Sequence, residues 1–291
     1  MIFAEEWPLM TFTLLAQLSI GTFIILMLLK ALMENHEAQA SKALSFGFTA
    51  VGAVTLLALI FSLFHLGDPL GAPRSILNRG SSWLSREILT TGGFLVLWFI
   101  FWLLMRKGKE STALGWITAF VGLAAIFSMA NIYSSSVRPA WANANTYYAF
   151  FGATFAMGAV GAVSVFALGM KGAAFSKSVT KTLTTVSYIG IASVVLPLLY
   201  FPFYLSGLKS GGVTSSASAQ ILTGSMGSVI FSAILMLLGA VLLVFLLKKQ
   251  EQKGQHFAMN TILIALALVV IGEFMSRYLF YASGISPIIG G

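Results

Sequence analysis

Apolar residues in this chain come in eight long blocks, which short polar segments separate. Each block has about 20 residues or more, the length of helix that crosses a bilayer. The blocks do not show the alternating segments of about ten residues that are typical of membrane β-barrels. The pattern predicts an all-α integral membrane protein, a bundle of eight transmembrane helices. The predicted spans lie near residues 8–32, 43–66, 85–105, 113–134, 147–170, 183–206, 221–247 and 257–281.

The composition agrees with this fold class. Of the 291 residues, 58% are hydrophobic and only 9% are charged, whereas a soluble domain carries about 25% charged residues. No soluble domain can be fitted between the blocks, so residues 1–291 are expected to form a single transmembrane domain. The first residues include Glu5 and Glu6 instead of the basic residues of a signal peptide, so we expect the first helix to be retained.

The charge distribution predicts the orientation of the bundle. The formal net charge is +8, but the cations lie between apolar blocks, which indicates membrane orientation and not nucleic-acid binding. One side carries Lys30, Lys42, Arg106, Lys107, Lys109, Lys171, Lys177, Lys181, Lys248, Lys249 and Lys253. The other side carries Arg74, Arg79, Arg86, Arg138, Lys209 and Arg277. The positive-inside rule puts both termini on the second, non-cytoplasmic side. Because arginine makes fixed, bidentate contacts, we expect this outer face to serve recognition.

A polar segment at the outer end of the second span is the first candidate site. The candidate residues of this segment are His65, Gly67, Asp68, Pro69, Arg74, Ser75, Arg79, Arg86 and Glu87. Glycine and proline would end the helix and shape a turn. An imidazole there can donate or accept a hydrogen bond near neutral pH. A lipid-soluble quinol would meet these groups, and its oxidation needs a base. The alternative is a histidine that caps a helix beside arginines that bind phospholipid headgroups.

The eighth span supplies a second candidate site. Glu273 and Arg277 are spaced i, i+4, so they share a helix face and can pair. Tyr281 extends the same face and could donate a hydrogen bond. One interpretation is a structural ion pair, and the other is that this face completes the pocket formed by the segment after the second span.

Two kinds of redox centre are excluded by the residue types. The chain has no cysteine, so it cannot ligate an iron–sulfur cluster with its own thiolates. Haem held by two imidazoles needs facing histidines within spans, but His36 and His256 are predicted to lie in loops. We therefore expect no haem, no iron–sulfur cluster and no metal in this chain, and electrons would have to pass to a partner.

Four motifs follow one another in a specific order. They are Glu6-Trp7-Pro8-Leu9, His65-Leu66-Gly67-Asp68-Pro69, Ser82-Trp83-Leu84-Ser85-Arg86-Glu87, and Gly272-Glu273 followed by Arg277 and Phe280-Tyr281. In order and spacing they resemble the membrane anchor subunit family of anaerobic dimethyl sulfoxide reductases. The similarity extends over essentially the whole sequence.

The resemblance implies a complex of the bacterial cytoplasmic (inner) membrane, with periplasmic termini for this chain. Its partners would be a molybdopterin catalytic subunit and a ferredoxin-like subunit with four 4Fe–4S clusters. The anchor would oxidise menaquinol in anaerobic respiration, without touching the terminal substrate.

The resemblance also implies roles for individual residues. His65, Gly67, Pro69, Arg74, Ser75 and Glu87 would bind quinol. His65, Glu87 and Asp68 would transfer protons. Arg74, Arg79 and Arg86 would dock the iron–sulfur subunit. Two alternatives stay open, namely the anchor of a tetrathionate or polysulfide reductase and a secondary transporter. Transporters place polar groups near the bilayer midplane, whereas most spans here have uncharged middles.

Overall fold

The computed structural model describes residues 2–33, 38–65, 80, 82–170, 175–253 and 259–287. These residues form nine helices, which are α1 (Ile2–Leu32), α2 (Ala38–His65), α3 (Trp83–Arg106), α4 (Thr112–Ser134), α5 (Ala144–Gly169), α6 (Lys177–Lys209), α7 (Val213–Gly224), α8 (Met226–Lys253) and α9 (Met259–Ala282). All except the short α7 are long and apolar enough to cross a membrane. The predicted eight-span, all-α fold is therefore confirmed, whereas the side on which the termini lie stays a prediction.

Helices α1 and α5 form the centre of the bundle. They are the two most buried of the eight spans, and α1 also contacts α2, α4, α6 and α9. Gly21 of α1 lies directly against Gly158 of α5, where a Cβ on either residue would overlap the backbone of the other helix. Small residues of this kind let two helix backbones approach closely in a membrane. The absence of two side chains therefore allows α1 and α5 to approach closely.

Aromatic side chains join α3 to the centre. Phe23 of α1 packs edge-on against Phe48 of α2 and against Phe94 and Phe101 of α3, with ring centroids 5.3 to 5.6 Å apart. The indole Nε1 of Trp98 donates to the carbonyl oxygen of Phe48 at 2.8 Å. Such pairs add specific geometry to the burial of apolar area. They fix the position of α3 against α2.

The start of the seventh span differs from the predicted position at residue 221. Helix α7 ends at Gly224, and the spanning helix α8 begins only at Met226. Between them Ser225 has φ −101° and ψ 18°, and its amide donates back to Ile221 and Thr223. The predicted span runs through Thr223, Gly224 and Ser225, where the structure interrupts the helix. Helix α7 packs against the end of α6 through the Ser215 hydroxyl, which donates to Leu208 at 2.9 Å.

The glycine contact between α1 and α5 makes a stability prediction. The Gly158→Ala variant should lower the free energy of unfolding by about 1–3 kcal/mol, because the new Cβ overlaps the backbone of Gly21. Gly92→Ala in α3 is the matched control, since a Cβ there meets nothing within 4 Å. Denaturant titration in detergent measures both. Equal stability of the two variants would contradict the close approach.

Candidate functional site at one end of the bundle

The candidate site lies where α2 and α4 end and α3 and α5 begin, which we call the site end. Helix α3 starts after Ser82, whose hydroxyl accepts a hydrogen bond from the amide of Ser85 at 3.3 Å. From there the inward face of α3 runs through Ser85, Glu87, Thr91 and Phe94, all of them buried. Helical periodicity therefore points the Glu87 carboxylate into the bundle.

Glu87 is a buried carboxylate that no described side chain binds. It is only 6% exposed, and within the described part of the chain its carboxylate takes part in no hydrogen bond or salt bridge. Tyr133 of α4 lies within electrostatic range of this carboxylate. Burial of a charge without compensation is costly, so a carboxylate in this position is suited to receive a proton or a hydrogen bond from a bound molecule.

A pair of tyrosine hydroxyls connects α4 with α9. The hydroxyls of Tyr133 and Tyr281 lie 2.5 Å apart, and both residues are buried. Their rings meet edge to face with centroids 5.6 Å apart. Tyr281 belongs to the polar face of α9, and Tyr133 lies within electrostatic range of Glu87. The pair therefore brings the two candidate sites of the sequence into one cluster.

Arg277 is the buried cation of this cluster. The residue is 3% exposed, and its Nη2 donates to Oε1 of Gln17 on α1 at 2.8 Å. Its guanidinium lies 3.9 Å from the ring centroid of Phe150 on α5, a cation–π contact. The amide nitrogen of Gln17 in turn donates to the Phe150 carbonyl at 3.3 Å. The charge of Arg277 is thus compensated by groups on α1 and α5.

Glu273 lies one turn before Arg277 and interacts with it without a direct salt bridge. The salt bridges of the described residues do not include this pair, although each residue acts electrostatically on the other. The expected i, i+4 pairing is therefore an interaction at longer range, because the guanidinium turns towards Gln17. Glu273 is 7% exposed, and no described group donates a hydrogen bond to it.

Arg86 is engaged within the chain. Its Nη2 donates to the carbonyl oxygen of Gly80 at 2.8 Å, and its guanidinium lies 4.1 Å from the ring centroid of Trp83. The hydrogen bond ties the start of α3 to Gly80, two positions before the cap residue Ser82. Docking of a partner by Arg86 stays a prediction.

Several predicted site residues fall outside the described residues. They are Gly67, Asp68, Pro69, Arg74, Ser75 and Arg79. His65 is the last residue of α2, and the structure describes only its backbone. Glu87, Glu273, Arg277 and Tyr281 are brought together at the site end. Among the described residues, no group of three or more His, Asp or Glu could hold a metal ion.

Three members of the cluster were not predicted from the sequence. They are Gln17, Tyr133 and Phe150. Gln17 carried a usable signal, since a polar amide within an apolar span needs a partner. Tyr133 and Phe150 carried none, because aromatic residues are common both at helix ends and in the core of such proteins.

Comparison with known proteins gives one consistent result. The family model described as DMSO reductase anchor subunit (DmsC) matches residues 3–283. An Escherichia coli (strain K12) protein named as a subunit of anaerobic dimethyl sulfoxide reductase is 29% identical over 286 residues, which cover 95% of this chain and 94% of the relative. YnfH of the same organism, named for the same reductase, is 28% identical with the same coverage. The Haemophilus influenzae subunit of that name is 25% identical over 280 residues, again 95% and 94% of the two proteins.

Removal of the amide that binds Arg277 should destabilise the bundle. Gln17→Met keeps the length of the side chain but leaves a buried guanidinium with fewer hydrogen bonds, which costs about 2–3 kcal/mol. Gln39→Met on the exposed surface of α2 is the control. Denaturant titration in detergent compares the two variants. If Gln17→Met unfolds at the same denaturant concentration as its control, Arg277 does not depend on Gln17.

Proposed function

Because the chain belongs to the DMSO reductase anchor subunit family, we propose that it anchors a reductase in the bacterial inner membrane and oxidises menaquinol there. The observation that carries the proposal is Glu87, a buried carboxylate with no hydrogen-bond partner in the described part of the chain. It lies at the end of the bundle where α2 ends at His65. A base in an apolar, lipid-adjacent location is what quinol oxidation requires.

The proposed site combines an imidazole with a carboxylate. The imidazole of His65 accepts a hydrogen bond from one quinol hydroxyl and orients the head group. Glu87 accepts a proton as the quinol loses electrons, with His65 and Asp68 as further proton carriers. Gly67, Pro69, Arg74 and Ser75 are the other proposed quinol-binding residues. Oxidation of one quinol to quinone releases two electrons and two protons.

The electrons must leave the anchor through a partner. With no cysteine, this subunit has no thiolate to hold an iron–sulfur cluster, so we propose that a ferredoxin-like subunit with four 4Fe–4S clusters docks at the site end. A molybdopterin subunit would complete the complex and reduce the terminal acceptor. Arg74, Arg79 and Arg86 are the proposed docking residues. Gly80 and Trp83 hold the guanidinium of Arg86 in place. Arg86 would therefore contribute to docking by fixing the start of α3.

The family assignment favours this function over a secondary transporter. It also disfavours the anchor of a tetrathionate or polysulfide reductase, because the relatives are named for dimethyl sulfoxide reductase. The acceptor itself is a property of the catalytic partner. We propose dimethyl sulfoxide or a related compound as acceptor, and the periplasmic side as the location of the site end and both termini.

Replacement of His65 or Glu87 should stop quinol oxidation while the complex stays assembled. His65→Ala removes the ligand to the quinol, and Glu87→Gln keeps the shape of the side chain but cannot accept a proton. Each should lower the rate of menaquinol-dependent reduction of the acceptor at least about 100-fold. The rate with a soluble reduced dye, which bypasses the membrane subunit, should stay unchanged.

His256→Ala is the matched control, because that histidine is predicted to lie in a loop at the opposite end. This variant should keep both the menaquinol-dependent and the dye-dependent reduction of the acceptor. Normal quinol oxidation by His65→Ala would show that the site is assigned wrongly. Transport of a solute by the isolated anchor in liposomes would instead support the transporter.

A site on the periplasmic side should make turnover electrically silent. Both protons are then released on the side to which the electrons leave, so no net charge crosses the membrane. In proteoliposomes that hold the complex, a voltage-sensitive dye should report no potential during quinol oxidation. A potential that collapses with a protonophore would contradict the proposed location.

A further inference from the structure

A second polar feature borders α9 near the tyrosine pair. It is a cavity of about 100 Å³ between α5, α6, α8 and α9. Its polar lining is Glu273, Ser193, Ser232, Ser276, Ser283, Asn145 and Tyr204. The remaining lining residues are apolar. One water molecule needs about 10–15 Å³ of such space and several polar partners, so the cavity can hold several.

The serine hydroxyls in the cavity have capacity to bind water. Those of Ser193, Ser232 and Ser283 donate to carbonyl oxygens of their own helices at 2.7, 2.8 and 3.0 Å. A hydroxyl that donates once still has lone pairs that accept hydrogen bonds. The Glu273 carboxylate and these serine oxygens all line the cavity and can accept hydrogen bonds from water molecules. Such a lining suits the transfer of a proton through water.

Glu273 is the residue that connects the cavity with the site cluster. It lines the cavity, yet it also interacts electrostatically with Arg277. Glu273, Arg277 and Tyr281 follow one another at i, i+4 and i+8, so they form one row along α9. The row runs from the cavity to the hydroxyl pair of Tyr281 and Tyr133.

Arg277 provides the independent indication of water in this row. Its Nη1 atom is buried and has no hydrogen-bond partner among the described protein atoms. Buried polar groups are almost always hydrogen-bonded, either to protein or to ordered water. A water molecule at Nη1 would supply the missing partner, in the row that also holds Glu273 and Tyr281.

We propose that Tyr133, Tyr281 and Glu273 form a proton exit route that leads from Glu87 to the water-filled cavity. The inference rests on the proposed quinol oxidation and adds a path for its product. Each quinol hydroxyl that loses its hydrogen gives a proton to Glu87 and an electron to the partner. The proton then moves along the two tyrosine hydroxyls and the water at Arg277 to the Glu273 carboxylate. The cavity waters take it up, and Glu273 returns to its ionised form.

The route is tested in the assembled complex with Glu273→Gln, Tyr281→Phe and Tyr133→Phe. Each should lower kcat for menaquinol oxidation about 10-fold or more. The KM for quinol should change less than about twofold, because none of the three residues binds quinol in this scheme. The solvent deuterium isotope effect should increase, since proton transfer becomes slower than the electron step. Glu273→Asp should restore most of the rate.

Tyr147→Phe is the matched control. Its hydroxyl lies near the site end as well, but it bonds to Asn131 and Ser134 at 2.9 Å and stands outside the row. Infrared difference spectra add a direct readout, because transient protonation of Glu273 should give a carboxylic acid band that is missing in Glu273→Gln. If Glu273→Gln fails to assemble, Tyr281→Phe, which loses only a hydroxyl, decides the question by the same kinetic measurements.

The outcome separates this inference from the function on which it rests. Normal kinetics and isotope effects in the route variants, together with inactive His65→Ala, would refute the route and leave the quinol site intact. Active His65→Ala would refute the site itself. An acid band that persists in Glu273→Gln would likewise exclude Glu273 as the proton carrier.

Discussion

The guanidinium of Arg277 is the group that most constrains the arrangement of the helices at the site end. A charge buried inside a membrane protein is expensive unless neighbouring groups compensate it. Here the compensation comes from Gln17 of α1 and the ring of Phe150 on α5, while Arg277 itself belongs to α9. Three helices that are far apart in the sequence must therefore keep one relative position.

That position depends on close packing at the centre of the bundle. Gln17 lies one turn before Gly21 on α1, and the contact between Gly21 and Gly158 sets how near α1 lies to α5, which carries Phe150. Larger side chains at these points would push α1 outwards and separate the amide from the guanidinium. Packing in the middle of the bundle and electrostatics at its end are thus two parts of one constraint.

The two buried carboxylates have different surroundings and suit different tasks. Glu87 lies in the second turn of α3 at the site end, within electrostatic range of Tyr133. Glu273 lies deeper along α9, beside Arg277 and a cavity rich in serine. Neither carboxylate receives a hydrogen bond within the described residues. Their oxygens are therefore available to accept a proton from a bound molecule or from water. The tyrosine pair adds two hydroxyls to the polar groups at this end of an apolar bundle.

The sequence alone determined the fold class, the eight spans and the identity of four groups in the cluster, which are Glu87, Glu273, Arg277 and Tyr281. Long apolar blocks leave the backbone no alternative to helices in lipid, and charged residues inside such blocks stand out. Glu87, Glu273 and Arg277 could therefore be found without coordinates. The residues around His65 were likewise recognised by their order along the sequence.

Only the tertiary structure decided which groups meet. Gln17 binds Arg277 across 260 positions of the sequence, and Tyr133 meets Tyr281 across 148. Helical periodicity relates residues a few positions apart, so it predicted a partner for Arg277 on its own helix and could not choose one on another. That choice depends on how closely and at what rotation the helices pack, which is the combined result of many small contacts.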